Sequence, residues 1–270
     1  MIWFLPFTNS NGCRIYWEES GAGDPLLLIM GLGYSHEMWH RTRPAMAEHY
    51  RAIVYDNRGV GKSDLPAGPY PIAQMADDAA AVLDAAGVER SHVYGISMGG
   101  MIAQELALNH PERVWSLILG CTTCGGANAV PAAAPVMQTL MDRATMTPEE
   151  GVEAMVPFIY SASTPRARID QDLAIRRRTF PAAAGYLAQI QGILGWSAFD
   201  RLHNIRVPTL VLHGGADQLV PPENGRILSR KIPGARLKLF ERASHIYPTD
   251  EPEASNQEVL SFLANLRVTN

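Results

Sequence analysis

Ser91-His92-Val93-Tyr94-Gly95-Ile96-Ser97-Met98-Gly99-Gly100-Met101-Ile102-Ala103-Gln104-Glu105-Leu106-Ala107-Leu108 is the stretch on which the reading of this chain turns. Its first four residues are β-prone and partly apolar, and its last nine favour a helix. Between them stands one serine with a glycine two positions away on either side. A strand that meets a helix through a single residue needs a sharp, strained turn. Glycines at those two positions remove the Cβ atoms that would collide there, and the turn lifts the Ser97 hydroxyl clear of the sheet as a candidate nucleophile.

On both sides of this turn the texture is that of a parallel sheet covered by helices. Arg14–Glu18 alternates as a half-exposed strand does, whereas Pro25–Met30 is continuously apolar, as a strand buried on both faces is. Ala52–Tyr55 and Val114–Leu119 repeat the buried pattern, and a helix is expected over Ile72–Ala86, ending at Gly87. The apolar Met1–Phe7 reads as a first strand. Past Gly120 the texture changes: residues 121 to about 202 hold no convincing strand but four proline-opened helical runs, near Pro131, Pro148, Pro165 and Pro181. Strands resume with Pro208–His213 and Arg236–Phe240, and an amphipathic helix from Pro252 to Leu266 closes the chain. The expected organisation is an α/β core of residues 1–126 and 203–270, interrupted by a helical cap at 127–202.

At 270 residues and 47% hydrophobic content, the chain can bury a large core. A formal charge of −4 offers no basic field, so neither DNA nor RNA is expected as a partner. Met1–Phe7 lacks a basic leader and is too short to span a bilayer, so no membrane association is expected. Cys13, Cys121 and Cys124 are few and odd in number, which fits a reducing compartment, the cytoplasm by default. No metal or organic cofactor is called for, and the sequence carries no signal of oligomeric state.

A serine hydroxyl needs a neutral imidazole to take its proton and a carboxylate to orient that imidazole. Asp217 lies in the glycine-rich loop directly after the strand ending at His213, and His245 follows the strand ending near Phe240. Ligand sites of open parallel sheets lie outside the carboxyl ends of the strands, so all three candidates would share one edge. Their order, Ser, Asp, His, is that described for α/β-hydrolases. His213 is the nearest rival imidazole and reads as a packed residue at the end of its strand. Asp56 competes with Asp217 but sits where a structural hydrogen bond is the more usual role.

Over nearly its full length the chain resembles the α/β-hydrolase family, with similarity to the serine esterases and to 3-oxoadipate enol-lactonase-like members. Besides the Ser97 turn, Gly31-Leu32-Gly33-Tyr34-Ser35 followed by Trp39 resembles the family's oxyanion loop, and Asp56-Asn57-Arg58-Gly59-Val60-Gly61-Lys62-Ser63-Asp64 its D-x-R-G-x-G-x-S loop. The run from His245 through Glu251-Pro252 to Leu263 is similar to the family's closing pattern. The resemblance implies a mostly parallel central sheet with a helical cap inserted after the sixth strand. It also implies an oxyanion hole made by the backbone N–H groups of Leu32 and Met98. One departure is Met30, where many members carry histidine; this bears on loop shape and subfamily rather than on the nucleophile.

The implied activity is hydrolysis of a small to medium hydrophobic carboxylic ester through an acyl-enzyme, with Ser97, His245 and Asp217 as the triad. Rival readings are a lactone hydrolase, a C–C bond hydrolase or cofactor-free perhydrolase, and a small-ligand receptor with residual hydrolysis. Serine rather than aspartate at position 97 argues against the haloalkane dehalogenase and epoxide hydrolase branches. Tyr34, His36, Phe158, Trp196 and Ile246 are candidates for the substrate pocket, with Tyr160 beside them. Cys121-Thr122-Thr123-Cys124 has no second pair to complete a zinc site and reads as thiols near the pocket. Arg166, Arg168, Arg176, Arg177 and Arg178 read as a solvated helix face. Asp250 and Glu251 read as the cap and first turn of the last helix.

Overall fold

The computed structural model describes residues 6–267, so most of the expected first strand, Met1–Leu5, lies outside the described residues. Eight strands form one sheet: β1 Phe7–Ser10, β2 Cys13–Ser20, β3 Pro25–Ile29, β4 Arg51–Tyr55, β5 Ser91–Ile96, β6 Val114–Gly120, β7 Thr209–Gly214 and β8 Arg236–Phe240. Their spatial order is β1-β2-β4-β3-β5-β6-β7-β8. β1 and β2 pair antiparallel, as do β2 and β4, and every later pairing is parallel. The C-terminal ends of β3 to β8 therefore open onto one edge.

The continuous apolar runs are explained by what covers the two faces. Along β3 to β7 the side chains divide by odd and even position, as the two-residue period of a strand requires. Leu27, Ile53, Val93, Leu117 and Val211 pack on one side against helices α2 (Ile72–Ala85), α3 (Met98–Asn109) and α9 (Glu223–Lys231). Leu26, Val54, Tyr94, Ile118 and Leu210 pack on the other, against α1 (Arg43–Ala47) and α11 (Pro252–Arg267). Each such aliphatic side chain contributes about 1.5–3 kcal/mol on full burial. α2 ends as expected at Gly87, whose φ of 66° lets Val88 N–H close back onto Leu83 O at 2.8 Å. The expected alternation of Arg14–Glu18 is only partly seen. Arg14 is exposed, but Ile15, Tyr16 and Trp17 are all buried, because Phe7, His36 and Lys62 cover the Tyr16 ring.

A helical insert follows β6: α4 Ala134–Asp142, α5 Pro148–Glu153, α6 Val156–Ile159, α7 Arg166–Arg178 and α8 Ala183–Leu194. Proline openings hold for α5 and α7. α4, however, opens on Pro135 rather than Pro131, and the short α6 has no counterpart among the expected runs. α5 begins with a full capping box between Thr147 and Glu150. The insert has its own apolar cluster, Val152, Met155, Ile159, Ile169 and Leu173, completed by Ile246 from the core. Polar joints fasten it down. Gln189 accepts from Gly33 N–H and donates to Arg58 O, both at 2.9 Å, and Ile246 N–H donates to Ile159 O at 2.9 Å.

Asp250 corrects the sequence reading. It lies in the short helix α10 (Tyr247–Asp250), not at the cap of α11. Its Oδ1 accepts from Ser161 N–H and the Thr164 hydroxyl, and its Oδ2 from Ser244 N–H. A half-buried carboxylate serves three donors from two segments better than one helix end. Arg176 is a second correction. Unlike its four neighbours it is 1% exposed, because α7 turns that position inward onto Tyr34 and Tyr160.

Candidate active site

The turn at Ser97 has the strain that its sequence requires. Ser97 stands at φ 57°, ψ −122°, a region that non-glycine residues enter at a cost of about 1–3 kcal/mol. Two bonds hold it there: its N–H donates to Gly120 O at 2.8 Å, and the Thr122 hydroxyl donates to its carbonyl at 2.7 Å. The flanking glycines are needed for close approach. A Cβ on Gly95 would lie 2.1 Å from Gly99 O, and one on Gly99 would lie 2.1 Å from Ile29 O. β5 could not pass into α3 this tightly with any larger residue. Met98, first residue of α3, has an N–H with no intrahelical partner at the positive end of the helix dipole.

Asp217 sits in the loop after β7 and is pinned by its own turn. Its Oδ1 accepts from Leu219 N–H and Val220 N–H, both at 2.9 Å, and its Oδ2 lies 2.8 Å from His245 Nδ1. Burial opposes its ionisation, but the His245 and His213 imidazoles hold the carboxyl down to about 2. With Nδ1 committed to Asp217, His245 keeps Nε2 for the cavity it lines. The His245 loop is held by Ala216 N–H donating to Ala243 O at 2.9 Å and by the Asp250 clamp.

His213 and Asp56 have the structural roles expected of them. His213 is wholly buried and its Nε2 lies 2.8 Å from Val220 O. Asp56 accepts from His36 N–H and Lys62 N–H, both at 2.8 Å, and from His36 Nδ1 at 2.7 Å. Arg58 of the same loop grips buried Asp78 through Nε at 2.7 Å and Nη2 at 2.6 Å, fixing the loop onto α2.

Ser97 and His245 open into a cavity of about 340 Å³, at the small end of the roughly 300–1,000 Å³ usual for ligand pockets. Its wall is mainly apolar, with Met30, Leu32, Met101, Ile193 and Leu219 among the lining residues. Gly31 brings the loop after β3 against the serine: a Cβ there would meet Ser97 Cβ at 3.1 Å. Of the five pocket candidates, Tyr34 and Ile246 line the cavity. The other three do not. His36 is bound to Asp56, Trp196 is buried in the core with its indole donating to Glu105 at 2.6 Å, and Phe158 packs on the insert's apolar cluster. Sequence reasoning missed Arg143, which lines the cavity from the insert; no motif surrounds it.

Cys121 and Cys124 are free buried thiols. Among the described residues, Cys121, His213 and Asp217 place potential metal donors within 4.8 Å of one another. They are poorly suited to an ion. Burial, reinforced by Asp217, pushes the Cys121 thiol well up, and Asp217 is already engaged by two backbone N–H groups and His245. No helix among the described residues is long and apolar enough to cross a membrane.

Residues 24–252 match the family profile of the alpha/beta hydrolase fold, and the chain belongs to that family. A RutD protein of Azorhizobium caulinodans, provisionally named a carbamate hydrolase, is 33% identical over 268 residues, 97% of this chain and 99% of its own. The enol-lactonase from Burkholderia xenovorans LB400 is similar in structure, with a TM-score of 0.85 at 28% identity over 96% of this chain and 100% of that one. An esterase from Exiguobacterium antarcticum gives 0.87 at 26% identity, over 96% and 98%.

Proposed function

We propose that this protein hydrolyses small to medium hydrophobic carboxylic esters through an acyl-enzyme, with Ser97 as nucleophile, His245 as general base and then acid, and Asp217 as the residue that orients and charges the imidazole. The observation that carries this reading is the His245–Asp217 contact of 2.8 Å beside a strained serine that shares one cavity with His245. Ser97 Oγ attacks the carbonyl as His245 takes its proton. The alkoxide that forms would accept hydrogen bonds from the backbone N–H groups of Leu32 and Met98. His245 returns the proton to the departing alcohol, and water, activated in the same way, releases the acid. Residues 127–202 serve as a lid that supplies the far wall of the cavity and excludes water. The three buried free thiols support a reducing compartment, the cytoplasm.

The likeness to an enol-lactonase over nearly the whole chain supports lactones as the second substrate class. Turnover of an ester series of increasing acyl length, with lactones and a carbamate alongside, tests the reading. Ser97→Ala is expected to lower turnover of the best substrate by about 10⁴-fold or more without lowering stability. A folded Ser97→Ala protein that keeps wild-type turnover overturns it.

A further inference from the structure

Among the described residues that line the cavity, Arg143 is the one permanently charged side chain. It stands in the turn Arg143–Thr145 between α4 and α5 and is 3% exposed. Its Nε donates to Gly151 O at 3.1 Å and its Nη1 to the Tyr186 hydroxyl at 3.2 Å, which donates in turn to Leu140 O. The guanidinium lies 4.9 Å from the Tyr186 ring centre, 5.5 Å from Phe180 and 5.8 Å from Tyr34. None of these partners is anionic. Two of its five N–H donors are used, leaving the outer end of the fork.

Arg176 adds to the imbalance. It is 1% exposed and lies 4.7 Å from the same Tyr34 ring, and its Nε and Nη2 have no hydrogen-bond partner. The carboxylate whose field reaches it, Asp172, is already shared among His40 at 2.8 Å, Arg41 at 3.3 Å and the hydroxyls of Tyr160 and Thr249. Cation–π contacts and neutral hydrogen bonds recover only part of the cost of removing a guanidinium from water. One wall of an apolar cavity thus carries a buried cation without a counter-ion.

We propose that Arg143 receives a carboxylate carried by the substrate, so that the preferred substrates are half-esters or lactones bearing a free carboxylate, gripped at the cap end while the scissile carbonyl faces Ser97. The outer fork would bind it end-on, through one charge-assisted hydrogen bond each from Nη1 and Nη2. The position of the scissile carbonyl rests on the proposed role of Ser97; the anion site does not.

The test compares kcat/KM for the monoethyl esters of succinate, glutarate and adipate with ethyl butyrate, pentanoate and hexanoate, chains of equal length that end in methyl. At the best length, the wild-type protein is expected to favour the half-ester by about 10- to 100-fold. Arg143→Gln is expected to erase that ratio, and Arg143→Lys, which keeps the charge but loses the fork, to retain a small part of it. If the glutamine variant does not fold, the lysine variant carries the comparison. Calorimetric titration of glutarate and adipate reads the site without turnover, and binding is expected to weaken at least about tenfold in the variants. If esters are cleaved with no preference at any length, and both dicarboxylates bind wild type and variant alike, the anion site is wrong and the esterase reading survives. Dicarboxylate binding that depends on Arg143, in a protein that cleaves no ester, leaves the anion site standing and removes the esterase reading.

Discussion

At the edge of the sheet, Ser97, Asp217 and His245 each belong to a turn that follows a strand, and hydrogen bonds from the same turn or from the end of the adjoining strand hold it: Leu219 and Val220 N–H for Asp217, Gly120 O for Ser97, Ala216 N–H for the His245 loop. In the cap, Arg143 is held by Gly151, Tyr186, Phe180 and Tyr34, which come from separate parts of the chain. The edge is therefore stiff by local geometry, and the cap is stiff only as far as its packing and its joints to the core hold. On the function proposed above, that division would keep the reacting groups fixed while the surface that selects the substrate can vary.

The contrast can be broken most severely at the serine turn. Gly99→Ala puts a methyl 2.1 Å from Ile29 O and 2.8 Å from Met30 O, both backbone atoms that cannot turn aside. It is expected to lower stability by about 2–3 kcal/mol, read by denaturant unfolding, and to displace Ser97 enough that turnover falls with it. A variant of wild-type stability would show the elbow to be looser than its contacts imply.

Acid provides the next lever, through Asp217. Its carboxyl is held near 2 in the folded protein, against 3.8 as its ordinary value, so the folded state binds that proton less tightly than the unfolded chain does. The resulting stabilisation, about 2 kcal/mol, is present above pH 4 and lost as pH falls towards 2. Unfolding measured across that window is expected to show the loss, and Asp217→Asn to flatten it.

A smaller effect is expected where cap and edge meet. Asp250→Asn puts an amide against N–H and O–H donors from Ser161, Thr164 and Ser244, at a cost of about 1–2 kcal/mol. Because the same carboxylate braces the segment before His245, kcat should fall along with stability. Smallest of all is Gly195→Ala at the end of α8, where a Cβ would meet nothing nearer than 3.5 Å. Stability within about 0.5 kcal/mol of wild type is expected. A large loss there would erase the distinction between a stiff edge and a tolerant cap.

Legibility in the amino-acid sequence follows the same division. Ser97, Asp217 and His245 can be read because each sits at a fixed offset from a strand whose apolar run is visible, and a chain in a parallel sheet delivers all such loops to one edge. The cap resists. His36, Phe158 and Trp196 are aromatic, but whether such a ring faces a cavity, a carboxylate or the core depends on the packing around it. Asp250 beside Pro252 has the local signature of a helix cap and is used instead between segments nearly 90 positions apart. Arg176 lies among four arginines that are exposed or half-buried, yet it points inward.

Local sequence is enough to specify the order of the chemistry-bearing turns, the strained serine between two glycines and the insert after the sixth strand, because all of these depend on sterics within a few residues. Tertiary packing alone settles that Asp217 meets His245, that Tyr34 and Ile246 rather than Trp196 line the cavity, and that Arg143 stands in its wall without a counter-ion. These are relations between segments far apart in the chain, and the desolvation that gives a buried charge its energetic weight exists only once those segments pack.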